Sequence, residues 1–237
     1  MALPQLNDIP KYETIIPSTQ KSVRFRPFLV KEQKVLLMAL ESQNERSIVN
    51  AITDTLKSCI VDPIKLNSLT TFDVEYLFTQ IRSKAVGEST DIGLKCTSCE
   101  HVNEIKVNLE KIKIDVPKKI PSIKINDTYT LNMKYPSYAQ AIELEMDNGA
   151  ATYTEQVYNS IITSLDSLQT EDEIIKFDEE PKEEVEKFLE QLTTPQFDKL
   201  MEFVQALPKL KHDIEFKCEK CKHENKVVLQ GINDFFK

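Results

Sequence analysis

The chain has 237 residues, of which 41% are hydrophobic, and its formal net charge at pH 7 is −8. This is enough apolar material for one domain of ordinary size or for two small ones. The sequence contains no run of about 18 apolar residues, which excludes a transmembrane helix, and its start has neither the basic nor the apolar region of a signal peptide. We therefore expect a soluble protein that is not secreted.

The first half of the chain is predicted to form a hairpin, then helices, then a second hairpin. The first hairpin turns at Ser18-Thr19-Gln20, and its second strand runs through Pro27 into a helix. A second helix has apolar residues at helical spacing up to Cys59, which we therefore expect to be a buried hydrophobic residue. After a third helix, two strands that alternate apolar and polar residues flank Cys96 and Cys99.

The second half repeats this order of elements. Pro136 follows Pro27 by 109 positions, and Ile161 and Leu165 follow Ile52 and Leu56 at the same spacing. We therefore expect the helix that begins in IVNAITDTLKS to have a helical counterpart in VYNSIITSLDS, with equal packing roles for the matched residues.

Two further blocks support the repeat. LTTFD, in which Thr71 is predicted to cap the third helix, has a counterpart in LTTPQFD. The strongest match pairs DIGLKCTSCEHVNEIKVNL, from Asp91 to Leu109, with DIEFKCEKCKHENKVVLQG, from Asp213 to Gly231. The sequence therefore predicts an internally duplicated α+β fold, with residues 1–116 and 117–237 as its halves, packed as one compact body.

One segment of the second half, about residues 166–190, has no counterpart in the first half. It contains eleven acidic residues and three lysines, which accounts for the whole net charge of the chain. Such runs mostly form solvated surface and sometimes bind a basic partner, so we expect exposed carboxylates and a helix with Val185, Phe188 and Leu189 facing inward. The candidate interaction residues in this segment are Glu171, Asp172, Glu173, Glu179 and Glu180.

Two Cys-x-x-Cys pairs, Cys96/Cys99 and Cys218/Cys221, have the form of zinc knuckles. Two thiolates on a tight turn between strands can face one ion while backbone N–H groups stabilise their charge. Two knuckles make up a four-cysteine zinc ribbon, and the pattern suits a reducing compartment better than it suits a disulfide framework. The doubled motif predicts a structural Zn²⁺ site.

Three ligand arrangements fit these residues. In the first, which we favour, all four cysteines close around one Zn²⁺ shared by the two halves. In the second, each half binds its own metal, with His101 or His223 as the third ligand. In the third, the knuckles bind no metal and remain as hairpins with reduced thiols. The histidines are alternatively predicted to cap the two turns.

Other chemistry lacks the residues that it needs. A thioredoxin-type pair requires a thiol at a helix N-terminus, whereas strands flank both motifs here. The sequence has no glycine-rich phosphate loop and no nucleophile with a matching base, so we expect no enzymatic activity. A nucleic-acid-binding ribbon needs a basic face, but the second knuckle has only six lysines against four acidic residues between Lys209 and Lys226.

Four segments closely resemble the baseplate hub subunits of T-even-type myoviruses, particularly those of marine phages. They are the opening MALP, RPFLVKE-x-K-x-LL-x-A-x-ES (Arg26 to Ser42), TFD-x-EYLF-x-x-IR-x-K-x-VGE (Thr71 to Glu88) and MKYPS (Met133 to Ser137). The resemblance implies a tail baseplate protein, made in the cytoplasm of the infected bacterium, that is either a hub subunit or a factor for hub assembly. It implies no catalytic residues.

The predicted function is therefore that of a structural or assembly protein of the phage baseplate hub, with a structural zinc site. Its expected partners are other hub and tail proteins, with no membrane partner. The alternative function is that of a zinc-ribbon protein that binds nucleic acid or assists transcription, for which the small basic excess gives little support.

Overall fold

The computed structural model of the chain describes residues 8–112, 114–117, 119–147 and 152–231. It divides into two compact units, residues 1–115 with 209–237 and residues 116–208. The first boundary lies beside the one between the predicted halves, 1–116 and 117–237. The second boundary assigns the last hairpin to the first unit, unit 1. The packing of the two halves as one body stays a prediction.

In chain order the strands and helices are β1 (Tyr12–Ile15), β2 (Ser22–Phe25), α1 (Val30–Glu41), α2 (Glu45–Cys59), α3 (Thr71–Ala85), β3 (Ser89–Lys95), β4 (Val102–Asn108), β5 (Ser122–Lys124), β6 (Thr130–Met133), α4 (Tyr138–Asp147), α5 (Tyr153–Ser164), β7 (Leu165–Gln169), β8 (Ile174–Lys176), α6 (Lys182–Glu190), α7 (Thr194–Gln205), β9 (Lys211–Lys217) and β10 (Glu224–Gln230). The described residues therefore combine helices with small antiparallel sheets, and the predicted α+β class is confirmed.

Unit 1 begins with the predicted hairpin of β1 and β2, in which Tyr12 pairs with Phe25. Gln20 has a φ of 56°, which lets the chain close the turn. After α2 the chain returns to β2, where Ile60 forms an isolated bridge with Phe25. The N–H of Arg26 also donates to the carbonyl of Cys59, at 2.9 Å. One residue after a helix thus extends the hairpin.

Helix α3 is tied to the turn of this hairpin. Thr70, rather than the predicted Thr71, is its N-cap, because the side chains of Thr70 and Asp73 form a reciprocal capping box. The carboxylate of Asp73 also accepts hydrogen bonds from the backbone N–H of Ser18, at 2.9 Å, and from its hydroxyl, at 2.5 Å. A fully buried carboxylate therefore fixes the turn on the helix.

The second unit, unit 2, contains a four-stranded antiparallel sheet in the order β5-β6-β7-β8. The core formed by this sheet and the helices of unit 2 includes Leu131, Ile161, Leu165 and Leu200, all with no exposed surface. Burial of each such side chain contributes about 1.5 to 3 kcal/mol to stability.

The predicted position of Leu165 in a helix, as the counterpart of Leu56, is wrong. Leu56 lies in α2, whereas α5 ends at Ser164 and Leu165 begins β7, opposite Met133 of β6. The carbonyl of Ser164 accepts a hydrogen bond from the N–H of Lys134, at 2.8 Å, so the chain leaves the helix here and pairs with β6. The internal duplication itself stays a prediction.

The acidic segment, about residues 166–190, forms most of β7, all of β8 and helix α6 in unit 2. Its helix has the expected amphipathic pattern, since Val185 and Leu189 are buried and Phe188 is partly buried against the core. Glu183 and Glu184 are exposed in the first turn. Carboxylates at that end interact favourably with the helix dipole. No helix in the described ranges is long and apolar enough to cross a membrane.

Candidate metal centre

The two cysteine motifs form the same turn twice. The N–H of Cys96 donates to the carbonyl of His101, and the N–H of Cys218 donates to the carbonyl of His223, both at 2.9 Å. The residue after each second cysteine has a left-handed φ, 56° at Glu100 and a similar value at the matching lysine of the other turn. Because the backbone folds back so tightly, both thiols of each motif reach the same side of the hairpin.

A shared hydrophobic layer holds the β3–β4 and β9–β10 hairpins together in unit 1. Ile92 and Val107 of the first hairpin pack in one cluster with Ile214, Phe216 and Leu229 of the second. All five side chains are buried. Packing of these apolar faces brings the two turns, and with them the four thiols, close to each other.

Two buried asparagines link the turns by matching hydrogen bonds. The N–H of Thr97 donates to Oδ1 of Asn225, and the N–H of Glu219 donates to Oδ1 of Asn103, both at 2.9 Å. Each asparagine also donates through Nδ2 to the histidine carbonyl of its own turn, at 2.9 and 3.0 Å. The exchange is reciprocal, which is the pattern that a local two-fold relation between the hairpins produces.

The four cysteine sulfurs form one compact group. Cys96 Sγ lies 3.6 Å from Cys221 Sγ, and Cys99 Sγ lies 3.7 Å from Cys218 Sγ. All four Sγ atoms lie within 4.8 Å of one another. Sulfurs about 2.3 Å from a tetrahedral Zn²⁺ lie about 3.8 Å apart, so the group has the dimensions of a four-thiolate site. Disulfide sulfurs lie much closer together, at about 2.05 Å.

Backbone N–H groups determine which thiols ionise most easily. Desolvation raises the pKa of Cys96, but hydrogen bonds from the N–H groups of Ser98 and Cys99 and from Asn225 lower it overall, to about 6. The N–H of Cys221 lowers the pKa of Cys218 more strongly than desolvation raises it. These are the groups that stabilise thiolate ligands in a knuckle.

Cys99 differs from Cys96 and Cys218, because its pKa is raised. The N–H of His101 lowers the pKa of Cys99, but interactions with the sulfurs of Cys221 and Cys218, together with desolvation, raise it to about 12. Four thiolates this close together repel one another, and a divalent cation at their centre compensates that repulsion. The four cysteines can therefore bind a metal ion.

The two histidines, His101 and His223, lie outside the sulfur group. Among the described residues, the group with metal-ligand spacing consists of the four sulfurs and includes neither His101 nor His223. Both histidines contribute their backbone carbonyls to the turns, and the side chains that cap those carbonyls belong to Asn103 and Asn225. The cross-links from these asparagines to the opposite hairpin were not predicted, since the His-x-Asn spacing indicates only a cap within each turn.

The other candidate residues lie apart from the sulfur group in the chain. Cys59 is fully buried at the end of α2, as predicted, and burial raises its pKa to about 11. The five acidic candidates for an interaction surface lie in unit 2 and are all exposed. They are Glu171, Asp172, Glu173, Glu179 and Glu180.

Comparison with known proteins assigns the chain to a family. The model of the family described as T4 bacteriophage base plate protein matches residues 9–237. No curated protein and no solved structure matches the chain. The family match spans both units, including the cysteine hairpins and the acidic segment. The chain therefore belongs to the T4 bacteriophage base plate protein family.

Proposed function

We propose that this protein is a structural or assembly component of the phage baseplate hub and acts through contacts with other tail proteins. Membership of the base plate family is the observation that supports this function. The hub assignment rests on the resemblance of the segments Arg26 to Ser42 and Thr71 to Glu88 to hub subunits. The protein would be made in the cytoplasm of the infected bacterium, where baseplates assemble.

The cysteine group supports a structural role rather than a catalytic one. Catalytic zinc sites keep one position open for water or substrate, whereas four thiolates fill a tetrahedral shell. We propose that Cys96, Cys99, Cys218 and Cys221 bind one Zn²⁺, which joins the last hairpin of the chain to the hairpin that precedes residue 116. Two hairpins more than a hundred residues apart in sequence are then held together without a disulfide.

Metal analysis of the purified chain tests the zinc proposal. We expect one Zn²⁺ per chain by inductively coupled plasma mass spectrometry, and complete loss of the metal in Cys96→Ser and in Cys221→Ser. Cys59→Ala is the matched control, since its thiol lies outside the group, and it should retain the metal. Two Zn²⁺ per chain would instead indicate separate sites in which the histidines are ligands.

Chelation gives a second measurement of the same site. Because thiolate ligation is coupled to folding, removal of the ion should lower the thermal midpoint of the parent protein and leave that of Cys96→Ser unchanged. A parent protein whose melting is indifferent to chelator would contradict a structural role for the metal.

Capture from infected cells tests the hub proposal. Tagged protein should co-purify with hub proteins, and mass spectrometry of purified virions beside the lysate decides whether it remains in the particle or acts only during assembly. Salt-sensitive binding to DNA or RNA without capture of tail proteins would favour the nucleic-acid alternative. That outcome would overturn the hub assignment and leave the zinc proposal unaffected.

A further inference from the structure

Helix α1 has an unusual distribution of apolar side chains. Exposed apolar residues occupy much of its surface, with Val30 exposed to 79%, Leu37 to 52% and Met38 to 59%. Its buried face is small and includes Ala39 and the carboxylate of Glu32, which pairs with Arg26 at 2.9 Å. A helix with apolar residues on all sides is normally buried, so this one has the character of an interface helix.

The outward face of α1 also carries two opposite charges at defined positions. Val30, Lys34, Leu37 and Glu41 are separated by four, three and four residues, which places them along one stripe of the helix. Lys34 and Glu41 are both exposed. Met38 flanks the stripe beside Leu37. The stripe therefore has an apolar centre between a cation and an anion.

This arrangement is complementary to itself when two copies of α1 lie antiparallel. A two-fold axis midway between Leu37 and Met38 places Lys34 of each copy opposite Glu41 of the other, with the apolar residues at the centre. In a parallel pair, Lys34 would face Lys34 and Glu41 would face Glu41, which is repulsive. The charges thus select the antiparallel orientation.

We propose that α1 is the interface of a homodimer, in which Leu37 of each copy packs against Met38 of the other and two Lys34–Glu41 pairs flank them. One helix of 12 residues is about 18 Å long, so the area that it can bury is smaller than that of a permanent interface. The dimer is therefore reversible and depends on protein concentration. This inference does not depend on the hub assignment.

Analytical ultracentrifugation of the full chain over a range of micromolar concentrations tests the dimer. The parent protein should shift from monomer to dimer, and Leu37→Asp should weaken association at least about a hundredfold, because it places a charge at the apolar centre in both copies. Ile174→Asp is the matched control, since Ile174 is 63% exposed on β8 and lies outside α1. Circular dichroism verifies that both variants are folded.

Charge reversal tests the antiparallel orientation. Lys34→Glu and Glu41→Lys should each weaken association about tenfold, since each makes both flanking pairs repulsive. The double variant should recover the parent affinity, and so should an equimolar mixture of the two single variants, in which every pair is again attractive. A parent protein that stays monomeric, or single variants that associate as the parent does, would overturn the proposal. If the parent protein is monomeric and Leu37→Asp abolishes its binding to a hub protein, the dimer proposal is overturned and α1 binds a different partner.

Discussion

The two hairpins that contain the cysteines are built alike, whereas the two hairpins that precede the helices are extended differently. The cysteine turns share their backbone bonds, their left-handed residue and their cross-linking asparagine. In contrast, hairpin β1–β2 is extended within the described part of the chain by a bridge to Ile60, while hairpin β5–β6 is extended by the whole of β7 and then by β8. The two cysteine hairpins pack on each other and exchange hydrogen bonds between their turns, so each constrains the other, but a hairpin that packs on its own helices leaves an edge where strands can be added.

A second correspondence concerns the last helix of each set. Asp73 of α3 ties its helix to the β1–β2 turn through Ser18, and Gln196 of α7 donates to the carbonyl of Ile125, at the end of β5. Each is the third residue of a helix capped by threonine in a reciprocal capping box. The same connection is made by a carboxylate in one unit and by an amide in the other, which is the kind of likeness that the predicted duplication implies.

The largest effect is expected in the core of the four-stranded sheet of unit 2. Leu131→Ala removes a fully buried side chain on β6, the strand between β5 and β7. It should lower the free energy of unfolding, measured by urea denaturation, by about 3 to 4 kcal/mol. Val23→Ala in β2, also fully buried, should cost about 2 kcal/mol because fewer atoms are removed. A loss below about 1 kcal/mol for Leu131→Ala would show that the sheet does not form a cooperative core.

The next effect distinguishes the carboxylate from the amide. Asp73→Ala removes the acceptor for Ser18 and for the N-cap Thr70, and should cost about 2 to 3 kcal/mol, because a buried charged acceptor is lost. Gln196→Ala should cost about 1 kcal/mol, since its bonds are neutral and partly exposed. Thermal denaturation of the two variants in parallel measures the difference. Equal losses of stability in the two variants would indicate that the carboxylate contributes no more than the amide.

The asparagines test whether the two turns are equivalent. Asn103→Ala and Asn225→Ala each leave a turn N–H without its acceptor, and each should cost about 1 to 2 kcal/mol. The double variant should cost less than the sum, because both bonds hold the same pair of turns. Urea titrations of the two single variants and the double variant provide the values. A large effect from only one asparagine would contradict the two-fold relation.

The sequence predicted features that depend on local residue patterns. The turn through Ser18-Thr19-Gln20, the amphipathic helix around Val185 and the burial of Cys59 all follow from spacing and composition, and the structure confirms each of them. Of the three arrangements that the sequence left open, the favoured one placed all four cysteines together, and the four sulfurs do form one group. The metal itself stays a proposal.

Features that depend on distant partners could not be predicted. Leu165 to Gln169 form a strand only because β6 and β8 lie on either side, and the same residues read in isolation continue a helical pattern. Strand β9 (Lys211–Lys217) likewise belongs to unit 1, because it packs in the apolar layer that includes Ile92. The role of Asn103 across the hairpins required knowing which turn lies opposite.

The smallest effect on stability is expected from the acidic residues on and around β8. They also give the most direct test of what the four-stranded sheet of unit 2 does. Glu171, Asp172, Glu173, Glu179 and Glu180 are exposed on and around β8, so replacing all five with Gln or Asn should leave the free energy of unfolding nearly unchanged. If this edge binds a basic surface of a hub component, the neutralised variant should bind that component more weakly. Added salt should weaken the binding of the parent protein to a similar extent, because salt screens exposed charges. Leu131→Ala is the contrasting variant, since it lowers stability without changing the surface charge. Pull-down from infected cells at two salt concentrations separates these effects, and unchanged capture by the neutralised protein would show that the acidic segment is only a solvated face.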